Sequence, residues 1–167
     1  MIRVGILMVS GSGARGERED ATVTALREAL VYGPYEVALV DTVPDEAAQI
    51  KRVLRLWADR DGLDLILTSG SIGLSARDNA PQATSEMLEK TAPGIAEFIR
   101  LMSFKKDPSI ALTRGVAGTR GKTLLINLPG GAGAAVTALE VALPLIPSAL
   151  QSILGQSTTE AAPVRGN

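Results

Sequence analysis

Short, unbroken runs of aliphatic residues alternate along this chain with segments whose apolar residues recur every three or four positions. Ile2 to Val9 is one such run, with the scant polar alternation of a strand covered on both faces. From about Asp20, Val23, Leu26 and Leu30 keep helical spacing until Gly33-Pro34 stops them. Glu36 to Val43 reads as a second strand. Pro44-Asp45-Glu46 then opens a helix with Ile50, Val53, Leu54 and Trp57 on one face and Lys51, Arg52, Arg55 and Asp59 on the other. Leu63 to Thr68 follows as a third strand. Continuous apolar strands separated by amphipathic helices predict an α/β protein, a three-layer α/β/α sandwich around a mainly parallel sheet.

Beyond the third strand, residues 81–91 and 93–106 read as two consecutive helices parted by Ala92-Pro93-Gly94. Ile110 to Gly118 and Thr123 to Leu128 read as two further strands, joined through Thr119-Arg120-Gly121-Lys122 in a hairpin or bulged turn. Val136, Leu139 and Leu143 mark another helix, interrupted by Pro144 and Pro147, with a short turn at Ala149 to Leu154. The length of 167 residues suits one domain, expected over residues 1–155. Residues 156–167 are polar, have nothing to bury, and are expected to fray.

Hydrophobic residues make up 46% of the chain and aromatics only 3%, so the core is aliphatic. Lysine and arginine number 17 against 18 acids, for a net charge of −1. No global field exists to hold nucleic acid or an anionic membrane, so an anionic ligand must be held locally. The absence of cysteine removes disulfides, thiolate nucleophiles and zinc–thiolate sites, and fits a cytoplasmic protein. The absence of histidine removes Ser-His-Asp triads and imidazole chemistry. Carboxylates, hydroxyls, Arg, Lys and backbone dipoles remain, a set suited to magnesium and phosphate. The opening apolar run is only strand length and lacks the pattern of a signal peptide, and no later run is expected to be long enough to cross a bilayer.

Ligands in such folds sit beyond the carboxyl ends of the strands. Four segments should meet there: Ser10 to Gly16, Val43 to Glu46, Thr68 to Asp78, and Asn127 to Gly133. The richest is Leu65 to Thr84, where a strand empties into a loop holding Gly70, Gly73, Ser69, Ser71, Ser75 and the Arg77-Asp78 pair before Pro81 opens a helix. An ordinary polar turn is the plain alternative. Asp45 and Asp78 each suit a helix cap, yet two acids beside glycine-rich loops favour a shared magnesium site. Gly130, Gly131 and Gly133 offer a second phosphate cradle or a loose connection. Arg77 and Arg114 can pair with phosphate or with neighbouring acids, and phosphate is the better fit for Arg77. Gly11, Gly13 and Gly16, with Asp41, imitate a dinucleotide fingerprint, but Glu17 to Asp20 stand where its helix should pack on the strand, so a nicotinamide reading ranks last.

Taken in order, Val9-Ser10, the GERED segment from Gly16 to Asp20, Val43 to Glu46, Leu67 through Asp78 with Pro81, Ala83 and Thr84, Pro93-Gly94, Arg114 to Gly118 and Asn127 to Gly130 follow a known pattern. The chain resembles the molybdopterin adenylyltransferases, the Mog/MoaB-type proteins of molybdenum cofactor biosynthesis, from Ile2 to about Leu154. The resemblance implies a molybdopterin-binding-type domain that transfers AMP from Mg-ATP to the terminal phosphate of molybdopterin and releases pyrophosphate. It further implies a homotrimer. The apolar face of the Met87 to Phe104 region is expected to be split between core and subunit contact. By motif, Asp45 and Asp78 would be the essential acidic pair, placing Mg2+ and the triphosphate. Thr68, Ser69, Gly70, Ser71, Gly73 and Arg77 would line the nucleotide and pterin site, with Asn127, Pro129 and Gly130 on its opposite wall and Ser10 and Arg114 nearby.

The chain departs from the family pattern in these loops. Ser69-Gly70-Ser71-Ile72-Gly73 stands where members usually show Thr-Gly-Gly-Thr-Gly. Gly11 replaces an Asp, Thr22-Val23 a Ser-Gly pair, and Gly131-Ala132 a Ser-Pro pair. Ser71 brings a Cβ to where backbone would approach phosphate, and Ile72 replaces a hydrogen-bonding group with an apolar one. The alternative reading is therefore a molybdopterin-binding or scaffold homologue with weakened or lost catalysis.

Overall fold

A computed structural model describes residues 1–11 and 16–156, so the expected fraying of the tail falls largely outside the described residues. The chain begins with β1 (Ile2–Ser10), α1 (Glu17–Leu30), β2 (Tyr35–Pro44) and α2 (Ala47–Arg55). Then come β3 (Leu65–Ser69), α3 (Ala80–Met87), β4 (Lys90–Thr91) and α4 (Pro93–Ser103). It ends with β5 (Ala117–Arg120), β6 (Thr123–Leu128), α5 (Ala132–Ala142) and α6 (Ile146–Ile153). One six-stranded sheet has the order β2-β1-β3-β6-β5-β4. Strands β2, β1, β3 and β6 are parallel, and β5 and β4 add on antiparallel.

The sheet is covered on both faces, because successive residues of an extended chain point to opposite sides. Val4, Ile6 and Met8 of β1 meet Leu65 and Leu67 of β3 and pack under α1, α4, α5 and α6. Leu7 and Val9 meet Ile66 and Leu125 and pack under α2 and α3, with Trp57 in the π-helical turn Leu56–Arg60 that continues α2. Each fully buried Leu or Ile contributes about 1.5–3 kcal/mol relative to exposure, so both layers are needed to hold the strands. The three-layer sandwich read from the sequence is the observed architecture.

Local departures have local causes. Helix α1 begins at Glu17, ahead of Asp20, because the Glu19 carboxylate accepts the Gly16 N–H (3.2 Å) and closes the first turn. The helix expected over residues 81–91 stops at Met87: Leu88 turns extended, Glu89 N–H donates to the Thr119 carbonyl (2.8 Å), and Lys90–Thr91 adds to the sheet edge. The strand expected from Ile110 is a 3-10 turn over Pro108–Leu112, since Asp107 accepts the Ser109 amide and hydroxyl and Pro108 fits the first turn. Those hydrogen bonds, the hydroxyl first, hold the Asp107 carboxyl below the usual carboxylate range. Strand β2, expected over Glu36 to Val43, runs from Tyr35 to Pro44 and so carries Asp41 within it. The glycine-spaced segment after β1 lies partly outside the described residues.

Pro144 and Pro147 sit in the first turns of successive helical segments and leave the run nearly continuous. Ala132–Ile153, 22 residues, is long and apolar enough to cross a membrane, which corrects the expectation that no such run exists. In the fold its Ala135, Ala138, Leu139, Ala142 and Ile146 are buried against the sheet.

Gly5 shows how tightly α2 is seated. A Cβ there would lie 2.6 Å from both Leu63 Cδ1 and the Trp57 ring, beside the register shift between Val4 and Gly5. Gly5→Ala is expected to destabilise the protein by about 1–3 kcal/mol, read as a lower urea midpoint at unchanged m-value.

Candidate active site

Three strand ends are stitched into one rim. In-register pairing sets Met8 beside Ser69 and Ser69 beside Leu128. Gly70 N–H then donates to the Leu128 carbonyl (3.1 Å), and the buried Ser69 hydroxyl donates to the Pro129 carbonyl (2.8 Å). From the next strand over, Asp45 N–H donates to the Ser10 carbonyl (3.2 Å). Gly70 is required here: its φ is +100°, and a Cβ would stand 2.6 Å from the Val9 carbonyl oxygen. Above this floor opens a cleft of about 390 Å³, lined among others by Ser10, Ser69, Gly70, Ser71, Gly73, Arg77, Pro129 and Gly130. That volume falls in the range of small-molecule sites.

Asp45 and Asp78 both line this cleft. Neither caps its own helix: α2 and α3 start at Ala47 and Ala80 without side-chain caps. The Asp45 carboxylate accepts the Asn79 N–H (3.1 Å), and the Asn79 amide donates to the Asp45 carbonyl (3.3 Å), which ties the end of β2 to the residue next to Asp78. The Asp78 carboxylate accepts the Ser75 N–H (2.8 Å) and passes 2.9 Å from where a Cβ on Gly73 would stand. Oxygen ligands with open lone pairs suit a hard cation, and among the described residues no cluster of three or more acids is assembled that could hold one alone.

Thr68, Asn127 and Arg114 do not line the cleft. Buried Asn127 donates through Nδ2 to the hydroxyls of Thr68 (2.7 Å) and Thr84 (2.9 Å), while its Oδ1 accepts the Val116 N–H (3.0 Å). Arg114 donates to the carbonyls of Gly73 and Asp78 (2.7 Å each), and its own N–H donates to the Ile72 carbonyl (2.7 Å). These residues hold the loop from behind. Gly131, read from the sequence as part of a second phosphate cradle, lines the cleft, as do Thr22, Arg18 and Thr113, which the sequence did not mark as site residues. Arg18 stands in the first turn of α1.

Residues 5–148 match the family model described as a probable molybdopterin binding domain. The chain belongs to this family. It is 36% identical over 157 residues to a molybdopterin adenylyltransferase of Helicobacter pylori, covering 92% of this chain and 89% of that one. The crystal structure of the molybdopterin biosynthesis enzyme MoaB from Thermus thermophilus superimposes with a TM-score of 0.87 at 56% identity, over 93% of this chain and 98% of the other. The Drosophila melanogaster molybdenum cofactor synthesis protein cinnamon is 35% identical over 154 residues, 91% of this chain but only 26% of that much longer protein.

Within this member of the molybdopterin-binding family, the two altered loop residues behave differently. Ile72 is buried in the α2/α3 core, and its Cδ1 approaches the position a Cβ on Gly115 would take (3.4 Å). Its apolar side chain therefore adds packing under the loop. Ser71 carries the strain: its φ of +58° makes it the one non-glycine in the left-handed region among the described residues. The Ser71 carbonyl accepts the Ala80 N–H (3.2 Å) and fixes that conformation. Left-handed backbone costs an L-residue roughly 1–2 kcal/mol, partly offset by the larger entropy a glycine loses on folding. Ser71→Gly is expected to raise stability by up to about 1 kcal/mol, seen as a melting point higher by about 2–4 °C.

Proposed function

We propose that this protein is a molybdopterin adenylyltransferase: it joins AMP from ATP to the terminal phosphate of molybdopterin, in molybdenum cofactor biosynthesis. The observation that carries the reading is the convergence of Asp45 and Asp78 on one nucleotide-sized cleft floored by Gly70 and Gly130. The chemistry asks little of acid–base groups. A phosphate oxygen is already anionic, so it attacks the α-phosphorus directly, forming one P–O bond while the bond to pyrophosphate breaks, and a chain with no histidine or cysteine suffices. What the protein must supply is position and charge neutralisation.

Asp45 and Asp78 are the residues that would hold Mg2+, which supplies countercharge for the triphosphate. The bare floor at Gly70 lets phosphate oxygens approach backbone, and Arg77 adds a guanidinium beside Asp78. Asn127, Thr68 and Arg114 keep the loop in place. A homotrimer is part of the same proposal, supported by the exposed Phe98, Leu101 and Phe104 on the outer side of α4. So is a cytoplasmic protein that binds neither nucleic acid nor membrane. One domain covers the residues that build the cleft.

Purified protein given molybdopterin, ATP and magnesium should yield adenylated molybdopterin and pyrophosphate by chromatography. Asp45→Ala and Asp78→Ala should each lower turnover by at least about 100-fold while circular dichroism stays native. Molybdopterin binding without product in the wild type would favour the scaffold reading that Ser71 raises. Analytical ultracentrifugation should return three times the chain mass, and Leu101→Glu should shift it towards monomer.

A further inference from the structure

The rim of the cleft is built by two helix layers on opposite faces of the sheet. Asp45 and Asp78 stand where the chain enters α2 and α3, the layer over Leu7, Val9 and Ile66. The other wall belongs to α1 and α5, which pack together over Val4, Ile6 and Leu65. On that wall Arg18, in the first turn of α1, lies along the Gly130-Gly131 backbone at the start of α5. Its Nη2 is 3.5 Å from where a Cβ on Gly130 would be and 3.3 Å from that on Gly131, so the guanidinium lies against this bare backbone, and the φ of +84° at Gly131 favours glycine there. Arg18 lines the cleft, and among the described residues its side chain makes no hydrogen bond or ion pair. Adjacent Glu19, which also lines the cleft, turns its carboxylate to the Gly16 amide (3.2 Å) and forms no ion pair with Arg18 among the described residues.

An adenylyl transfer brings two polyanions into one site. The acidic layer, with a divalent ion and Arg77, suits the triphosphate. Nothing on that wall is left to neutralise the second anion. We propose that Arg18 binds the phosphate of the pterin acceptor, holding it against the Gly130-Gly131 backbone on the wall that faces the acidic pair. The inference rests on the adenylyltransferase reading for the identity of the ligand. A guanidinium offers phosphate two parallel donors, and the Gly131 N-cap adds the positive end of the 11-residue helix α5. Division of labour follows: each anion meets its own countercharge on its own layer, and the attacking oxygen arrives from across the cleft.

Calorimetry on the full chain tests this with three probes: molybdopterin, dephosphorylated molybdopterin, and a non-hydrolysable ATP analogue with magnesium. Arg18→Ala should weaken molybdopterin binding about tenfold or more and leave the nucleotide analogue within about twofold. The wild type should bind the dephosphorylated pterin no better than Arg18→Ala does, and Arg18→Lys should recover part of the loss. In steady state the KM for molybdopterin should rise while that for ATP holds. Because Arg18 is solvent-exposed, an unchanged melting curve is expected for both variants. Unchanged molybdopterin affinity in Arg18→Ala, an equal loss for the nucleotide analogue, or a penalty that persists with the dephosphorylated pterin each overturns the proposal. A wild type that binds molybdopterin but makes no product sinks the adenylyltransferase reading and leaves the Arg18 measurements valid; one that binds no molybdopterin overturns both.

Discussion

The rim depends on β3 lying in register between β1 and β6. Those three strands are parallel and buried on both faces, so a slip of one residue would exchange the α1/α5 and α2/α3 cores along the whole strand. That penalty locks Met8, Ser69 and Leu128 into one row. The residues just past the row, Val9-Ser10, Gly70 and Pro129-Gly130, then have to meet. Gly70 and Gly130 meet almost without side chains, a would-be Cβ on Gly130 lying 3.4 Å from Gly70 Cα. A floor of bare backbone is a consequence of sheet register before it is a feature of binding.

The sheet also separates charge. Because each strand hands the chain to a helix on one face or the other, the acids at the ends of β2 and β3 fall to the α2/α3 side, while Arg18 falls to the α1/α5 side. A cleft with Asp45, Asp78 and Arg77 on one wall and Arg18, beside Glu19, on the other offers two anionic ligands separate places without a histidine or cysteine. This suits a chain lacking histidine and cysteine. Behind the floor, Asn127 spends its carbonyl and both amide hydrogens on three partners from different elements. A buried amide left unpaired costs about 1–3 kcal/mol, so a fully paired one specifies a single arrangement of β3, β6 and α3.

Most of the fold was legible because periodicity reports burial, and burial on both faces leaves few alternatives. Ile2–Ser10 and Thr123–Leu128 are strands for the reason their unbroken apolar runs suggest. The misreadings came where a local hydrogen bond outweighed composition. Leu88 leaves its helix because a sheet edge accepts the chain, and Ile110 turns because Asp107 and Pro108 organise the segment before it. The strand-end loops were visible as glycine and hydroxyl clusters; which of their side chains face the cleft was not. Asp45, Asp78 and Arg77 do, whereas Thr68, Asn127 and Arg114 turn inward to other protein groups.

By itself the sequence determined the layered α/β architecture, the rim on which ligand chemistry can occur, the restriction to carboxylate, hydroxyl and guanidinium groups, and, through motif order, the family. Only the tertiary structure decided the parts that depend on contacts distant in sequence. It seated Ile72 in the core, put the loop strain on Ser71, carried Asp45 to the amide of Asn79, and brought Arg18 to Gly131. The physical reason is the same in each case: a residue's type limits what it can do, but its partner is chosen by the packing of elements tens of residues away.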